Sequence, residues 1–162
     1  MLLRKPDIGF IPTPDEAIDA LLNLAHVTPT DVIYDLGSGD GRILIRAAQA
    51  YGARGVGIDI DPVRIAEARS HAETAGVSHQ VSFRQADLFE SNVSDATIVI
   101  LYLLPHLNLK LRPILFNQLQ PGTQILSLDF DMGDWQPEQV IKLDHIEEES
   151  TIYHWQIPRT PI

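Results

Sequence analysis

Apolar residues recur along the chain in two rhythms, and their alternation outlines a sheet with crossover helices. Apolar positions at Ala17, Leu21, Leu24 and Ala25 predict a first helix. It is entered through F-I-P-T-P at 10–14, with Thr13 at the N-cap, Pro14 as the first helical residue and Glu16 closing a capping box. On that basis Thr13→Ala is expected to cost about 1 kcal/mol. Short apolar runs bounded by turn residues predict strands at 31–36, 54–60, 81–85, 96–103 and 123–128. Between them a helix at 43–51 ends at Gly52, and another runs from the cap Asp61-Pro62 to Gly76 with Ile65, Ala68, Ala72 and Ala75 on one face. A further helical face carries Leu111, Ile114, Leu115 and Leu119, with Pro113 near its start or kinking it. The run A-T-I-V-I-L-Y-L at 96–103 is apolar on both faces, as a central parallel strand covered from both sides is. Two strands at 139–147 and 151–157 close the chain around an acidic turn. In the second, Tyr153, Trp155 and Ile157 alternate with Ile152, His154 and Gln156. No internal repeat or linker interrupts the pattern, which reads as one α/β domain over 1–162: a helical element at 10–26, a core at 31–128 and a terminal hairpin at 139–157.

The first strand leads into Y-D-L-G-S-G-D-G-R at 34–42, with Gly37, Gly39 and Gly41 at alternate positions before a helix. Glycine serves such a turn where φ is positive or where a ligand must approach the backbone, and the amides at the helix start then face what binds. Arg42 follows Gly41, so this is not the Gly-Lys-Ser/Thr of a P-loop, and the third glycine falls at 41 rather than at the 42 a dinucleotide G-x-G-x-x-G would need. The second strand ends in Asp59, 24 residues after Asp35, which is what one helix and a return strand require. Two carboxylates then reach the C-terminal edge of adjacent parallel strands. A carboxylate there can accept both hydroxyls of a ribose, although a solvated loop aspartate is the alternative for Asp59.

The 162 residues suit one domain, since a chain of about 150 residues buries roughly 70% of its unfolded surface. With 44% hydrophobic and 21% charged residues the composition is that of a soluble globular protein. No stretch is long enough to span a bilayer and the N-terminus lacks a secretory apolar region, so no stable membrane insertion and a cytoplasmic location are expected. Cysteine is absent, which removes thiolate nucleophiles and ligands, and the six histidines show no ligand spacing, so no metal is expected. A net charge of -10 opposes a phosphate backbone and suits a cationic partner, or merely keeps the surface soluble.

Taken together, F-I-P-T-P, D-L-G-S-G-D-G, G-I-D-I-D-P, A-D-L-F at 86–89, L-Y-L-L-P at 101–105 and the D-W loop at 129–135 resemble one branch of the class I S-adenosylmethionine (SAM) methyltransferases. That branch holds the protein-lysine methyltransferases acting on the ATP synthase c subunit and the adenine nucleotide translocase, with prokaryotic relatives. The resemblance implies a three-layer, Rossmann-like, seven-stranded and mostly parallel sheet with a C-terminal antiparallel hairpin. It implies SAM as cofactor, with S-adenosylhomocysteine as product, held by Thr13, Asp35, Gly37, Ser38, Gly39, Asp59, Ile60, Asp87 and Leu88. In such a fold Asp35 and the loop take the methionine part, Asp59 the ribose and Asp87 the adenine amine, while Thr13 sits near the methionine end.

The resemblance also implies a lysine-bearing protein as partner. N-P-P-Y is missing after the fourth strand, which argues against adenine or glutamine-amide acceptors, and the lack of cysteine excludes a cytosine-C5 mechanism. The stretch Leu104, Pro105, His106, Leu107, Asn108 occupies the usual acceptor position, and the loop at 129–135 offers two aromatics and three carboxylates to roof a pocket. Tyr102, His106 and Asp129 are the candidates to orient an amine, with His106 also readable as an exposed helix-start residue and Asp129 as a turn carboxylate. A small-molecule methyltransferase and a catalytically silent SAM-binding regulator are the alternatives.

Overall fold

The computed structural model describes residues 13–143 and 149–159. The elements are α1 (Asp15–Leu24), β1 (Val32–Leu36), α2 (Arg42–Tyr51), β2 (Arg54–Asp59), α3 (Pro62–Thr74), β3 (Val81–Gln85), a 3-10 turn (Leu88–Glu90), β4 (Ile98–Leu101), α4 (Pro105–Gln118), β5 (Gln124–Leu128), β6 (Gln139–Leu143) and β7 (Ser150–Gln156). All seven strands join one sheet in the order β3-β2-β1-β4-β5-β7-β6. The first five are parallel, and β7 runs antiparallel to both β5 and β6. Strand order reverses between β1 and β4, and in such sheets the crevice beyond the carboxyl ends at that point is where ligands bind.

Alternation along β1 sends Ile33 into one apolar cluster, shared with α1, α2 and α3, and Tyr34 and Leu36 into a second, shared with α4. The same rule divides β7, whose Ile152 joins the first cluster and Trp155 the second. Asp35 therefore shares a face with Ile33 and looks toward the layer of α1 and α2.

Two local expectations are corrected and one open alternative is resolved. In α1 the N-cap position is taken by Pro14, extended at φ -61 and ψ 147 with no side-chain cap, and its carbonyl accepts the Ile18 amide at 3.1 Å. Thr13 lies one residue outside, so its hydroxyl does not cap the helix and the stability cost expected of Thr13→Ala on that account falls away. Strand β4 runs only from Ile98 to Leu101, shorter than the expected 96–103, and Pro105 takes the first-turn position of α4, so the acceptor stretch from 105 to 108 is a helical turn. Pro113 sits inside α4. It faces solvent there, as does Leu109 at 48% exposure, so water can satisfy the carbonyl the proline leaves unbonded. The expectations at 10–12 and at 144–147 fall outside the described residues. Among the described residues no helix is long and apolar enough to cross a membrane.

Candidate functional site

Asp35 pairs in register with Gly57 of β2 on one side and Ile100 of β4 on the other, at the C-terminal rim. From there the glycine loop folds back onto β2. The amides of Gly37 and Ser38 both donate to the Ile58 carbonyl (2.8 and 3.1 Å), Gly39 donates to Asp59 Oδ2 (2.8 Å) and Gly41 to the Ser38 carbonyl (3.0 Å). These four amides are bonded within the protein.

Asp59 is the hub of the rim. Its Oδ1 accepts the Asp61 amide at 2.9 Å while Oδ2 holds Gly39, and its carbonyl takes the Ala86 amide at 3.1 Å. Each carboxylate oxygen retains a further lone pair, enough for a pair of vicinal hydroxyls. Ile60 follows, half-buried. On the next strand, Asp87 caps the 3-10 turn by accepting Phe89 N at 2.9 Å, and Leu88 packs against the α4-side core. The Ser38 hydroxyl is buried with no partner among the described residues, and its side chain lies so near Gly57 that a Cβ there would fall 2.7 Å from Ser38 Cβ. The side chain fills the space between loop and β2.

The rim is electrostatically loaded. Asp35 is 4% exposed, and no donor or cation among the described residues bonds its carboxylate. Burial, then the charge of Asp59, then that of Asp40, push its pKa up to about 7. Burial acts on Asp40 in the same sense, but hydrogen bonds and charge from Arg42 outweigh it and hold Asp40 below the usual carboxylate range. Their closest approach is 2.7 Å.

On the acceptor side, Tyr102 after β4 and Phe130 after β5 face each other with ring centroids 6.3 Å apart. Asp129 adopts φ 66, a left-handed conformation that Asp tolerates better than most residues. Its amide and Oδ1 bond the carbonyl and amide of Thr151 at the start of β7 (2.7 and 2.9 Å). His106 is exposed on the first turn of α4. The D-W loop does not roof the rim with both aromatics: Trp135 packs down against Phe116 and Trp155, and its carbonyl accepts Trp155 Nε1 at 2.9 Å.

Three residues hold this loop: Asn108, expected only as part of the acceptor stretch, and Ser127 and Arg112, which sequence reasoning missed. Asn108, wholly buried, donates Nδ2 to the carbonyls of Phe130 and Asp131 (3.3 and 3.0 Å). Ser127 Oγ donates to the Phe130 carbonyl at 2.6 Å, and Arg112 donates to the Met132 carbonyl at 3.1 Å while pairing with Asp134. A polar Asn at an apolar helix position was the only available signal. Among the described residues no group of three or more His, Cys, Asp or Glu is placed to hold a metal ion.

Comparison with known proteins gives a consistent family. The model of the ANTKMT methyltransferase domain matches residues 35–139. A protein-lysine N-methyltransferase of Saccharolobus islandicus is 37% identical over 153 residues, covering 94% of this chain and 95% of its own. The adenine nucleotide translocase lysine N-methyltransferase of Mus musculus is 31% identical over 139 residues, but the chain spans only 59% of that protein's length. A crystal structure of an RNA methyltransferase from Salinibacter ruber in complex with S-adenosyl-L-homocysteine superposes with a TM-score of 0.89 at 56% identity, covering 94% of this chain and 97% of that one.

Proposed function

Because the chain belongs to the ANTKMT methyltransferase domain family, we propose that it transfers the methyl group of SAM to the side-chain amine of a lysine in a protein substrate. The observation that carries the cofactor assignment is the buried Asp35 carboxylate, without a cation of its own, beside the Asp59-locked loop. An ammonium is the natural complement of Asp35, and a ribose diol that of Asp59. Asp87 and Leu88 stand at the next strand end for the base, with Ile60 beside them, and Thr13 lies across the loop from the opposite side. SAM supplies an electrophilic methyl; the protein has to hold it and present an unprotonated amine.

Magnitudes favour positioning over base catalysis. Deprotonating a lysine with a pKa of about 10.4 at pH 7 costs about 4.6 kcal/mol, whereas fixing the two reactants can contribute about 7 to 11 kcal/mol. Asp129 then serves to orient the amine rather than to act as a strong base, with Tyr102 and Phe130 lining the approach. Asp129→Asn keeps an acceptor for the Thr151 amide and tolerates the left-handed φ, so SAM affinity and unfolding temperature should stay at wild-type values. Turnover should drop about tenfold, at or below the low end of general acid–base contributions. Steady-state kinetics beside a thermal melt checks this, and equal turnover would remove Asp129 from the site.

The Salinibacter structure's description favours RNA as a second reading. Charge weighs against it. The chain carries a net charge of -10, and the arginines near the rim are occupied, Arg42 by Asp40, Arg64 by Glu67 and Arg112 by Asp134. Incubation with methyl-labelled SAM and a cell lysate, with and without ribonuclease and beside Asp59→Ala, decides between them. Label in a ribonuclease-resistant protein band, mapped by mass spectrometry to lysine and lost in Asp59→Ala, is the expected result. Label only in RNA establishes the second reading, and label only in small solutes a small-molecule enzyme.

A further inference from the structure

We propose that Arg42, braced by Asp40, is a positioning residue that latches the backbone at Thr13 to the glycine loop and thereby sets the affinity of the pocket for SAM. This rests on the SAM reading above and adds to it a part of the chain that lies before the first strand.

Arg42 is the first residue of α2, directly after the loop. Its Nε lies 3.1 and 3.3 Å from the two carboxylate oxygens of Asp40 and its Nη2 lies 2.7 Å from Oδ2, a two-pronged contact that fixes the plane of the guanidinium. The remaining arm, Nη1, donates to the Thr13 carbonyl at 3.3 Å. The brace is itself immobilised. The Asp40 carbonyl lies 3.0 Å from His71 Nδ1 on α3, and the amides on either side of Asp40 are tied to Asp59 and Ser38. A fixed loop thus reaches out with one rigid side chain and holds the residue that enters α1, and that residue is buried to 6% exposure.

Stability alone is a weak reason for such an arrangement. A second arginine of α2, Arg46, already ties α2 to α1 through Asp19 at 2.9 Å, with both side chains 52% exposed, which is an ordinary surface bridge. Arg42 differs in that its partners are Asp40 of the loop that follows Asp35 and is held by Asp59, and the backbone at Thr13. A lysine could not replace it, because one ammonium cannot span the Asp40 carboxylate and the Thr13 carbonyl with fixed geometry.

The test compares wild type, Arg42→Ala, Arg42→Lys and Arg46→Ala by calorimetric titration with SAM and by hydrogen exchange at the start of α1. Arg42→Ala should weaken SAM roughly tenfold, the scale of a lost charge-assisted hydrogen bond in a site. Arg42→Lys should recover less than half of that loss, and Arg46→Ala should bind as wild type does. SAM should slow exchange at the first amides of α1 in wild type and in Arg46→Ala, and not in Arg42→Ala; a merely structural role would speed exchange with or without ligand. Should Arg42→Ala fail to fold, Arg42→Lys carries the comparison. Wild-type affinity in Arg42→Lys, or in a folded Arg42→Ala, overturns the proposal. Wild type that binds no SAM at all overturns the cofactor reading first and the latch with it.

Discussion

Asp35→Asn is expected to make the unliganded protein more stable at pH 8 and, in the same protein, to remove most of its affinity for SAM. The folded-state pKa of about 7 lies above the unfolded value near 3.8, so the folded chain holds a proton that the unfolded chain has already released. The stability associated with this group is complete below about pH 4 and is lost as pH rises through 7. A difference of about three pH units corresponds to on the order of 4 kcal/mol, an upper figure for a wholly buried carboxylate. For a chain of this size that is a rise in melting temperature of roughly 10 °C for Asp35→Asn over wild type at pH 8, shrinking to nothing near pH 4. Differential scanning calorimetry across that pH range checks it; parallel stability curves for the two proteins would mean that Asp35 is not the strained group.

In the proposed SAM complex a cationic group beside Asp35 offsets this cost. An ammonium beside Asp35 pulls the carboxyl back to its ionised form, so binding below pH 7 releases a proton and strengthens with rising pH. With the carboxylate gone, the ammonium is buried without a counter-charge, a loss on the order of 3 to 5 kcal/mol, or roughly two to four orders of magnitude in affinity.

Gly41→Ala is expected to be strongly destabilising, because backbone strain and a steric clash act at the same position. Gly41 occupies the N-cap of α2 at φ +85, and a Cβ there would lie 2.8 Å from Phe83 Cζ and 3.0 Å from Ala68 Cβ. The left-handed backbone costs an alanine roughly 1 to 2 kcal/mol and overpacking a further 1 to 3 kcal/mol. Phe83 is wedged between loop and sheet, since a Cβ on Gly57 would meet it as well, at 2.5 Å, so it has no room to withdraw. Gly76→Ala is the control: its φ is +75 but nothing lies within 4 Å of the added carbon. Urea unfolding should therefore show Gly41→Ala weakened by a few kcal/mol and Gly76→Ala by about 1 kcal/mol. Equal losses would assign the whole effect to backbone strain and remove the steric role of Phe83.

Strands and the glycine turn were legible in the sequence because their signals are local. Val32 to Tyr34 and Ile98 to Leu101 are apolar runs that a doubly covered sheet absorbs, and the 24-residue interval from Asp35 to Asp59 is fixed by the length of one helix and one return strand. Boundaries failed where one residue serves two grammars. The apolar run continues to Leu103 although β4 stops at Leu101; Thr13 and Pro14 both suit a helix start, and the proline took the cap. The site was half legible. Asp35 and Asp59 announce themselves by residue type at a strand end. The bonds from Asn108, Arg112 and Arg42 run to backbone carbonyls distant in sequence, and a carbonyl acceptor leaves no trace in residue identity. The satisfied loop amides escaped for the same reason, since their acceptors are Ile58 O and the second oxygen of Asp59.

The cofactor site is tested most directly by titrating SAM calorimetrically into wild type and into Asp35→Asn at pH 7.5, with NAD as the competing nucleotide. One-site saturation of the wild type by SAM, no heat from NAD, and a hundredfold or greater weakening in a folded Asp35→Asn are the results expected from a buried carboxylate that receives an ammonium. Undiminished affinity in Asp35→Asn, or saturation by NAD in place of SAM, would contradict it.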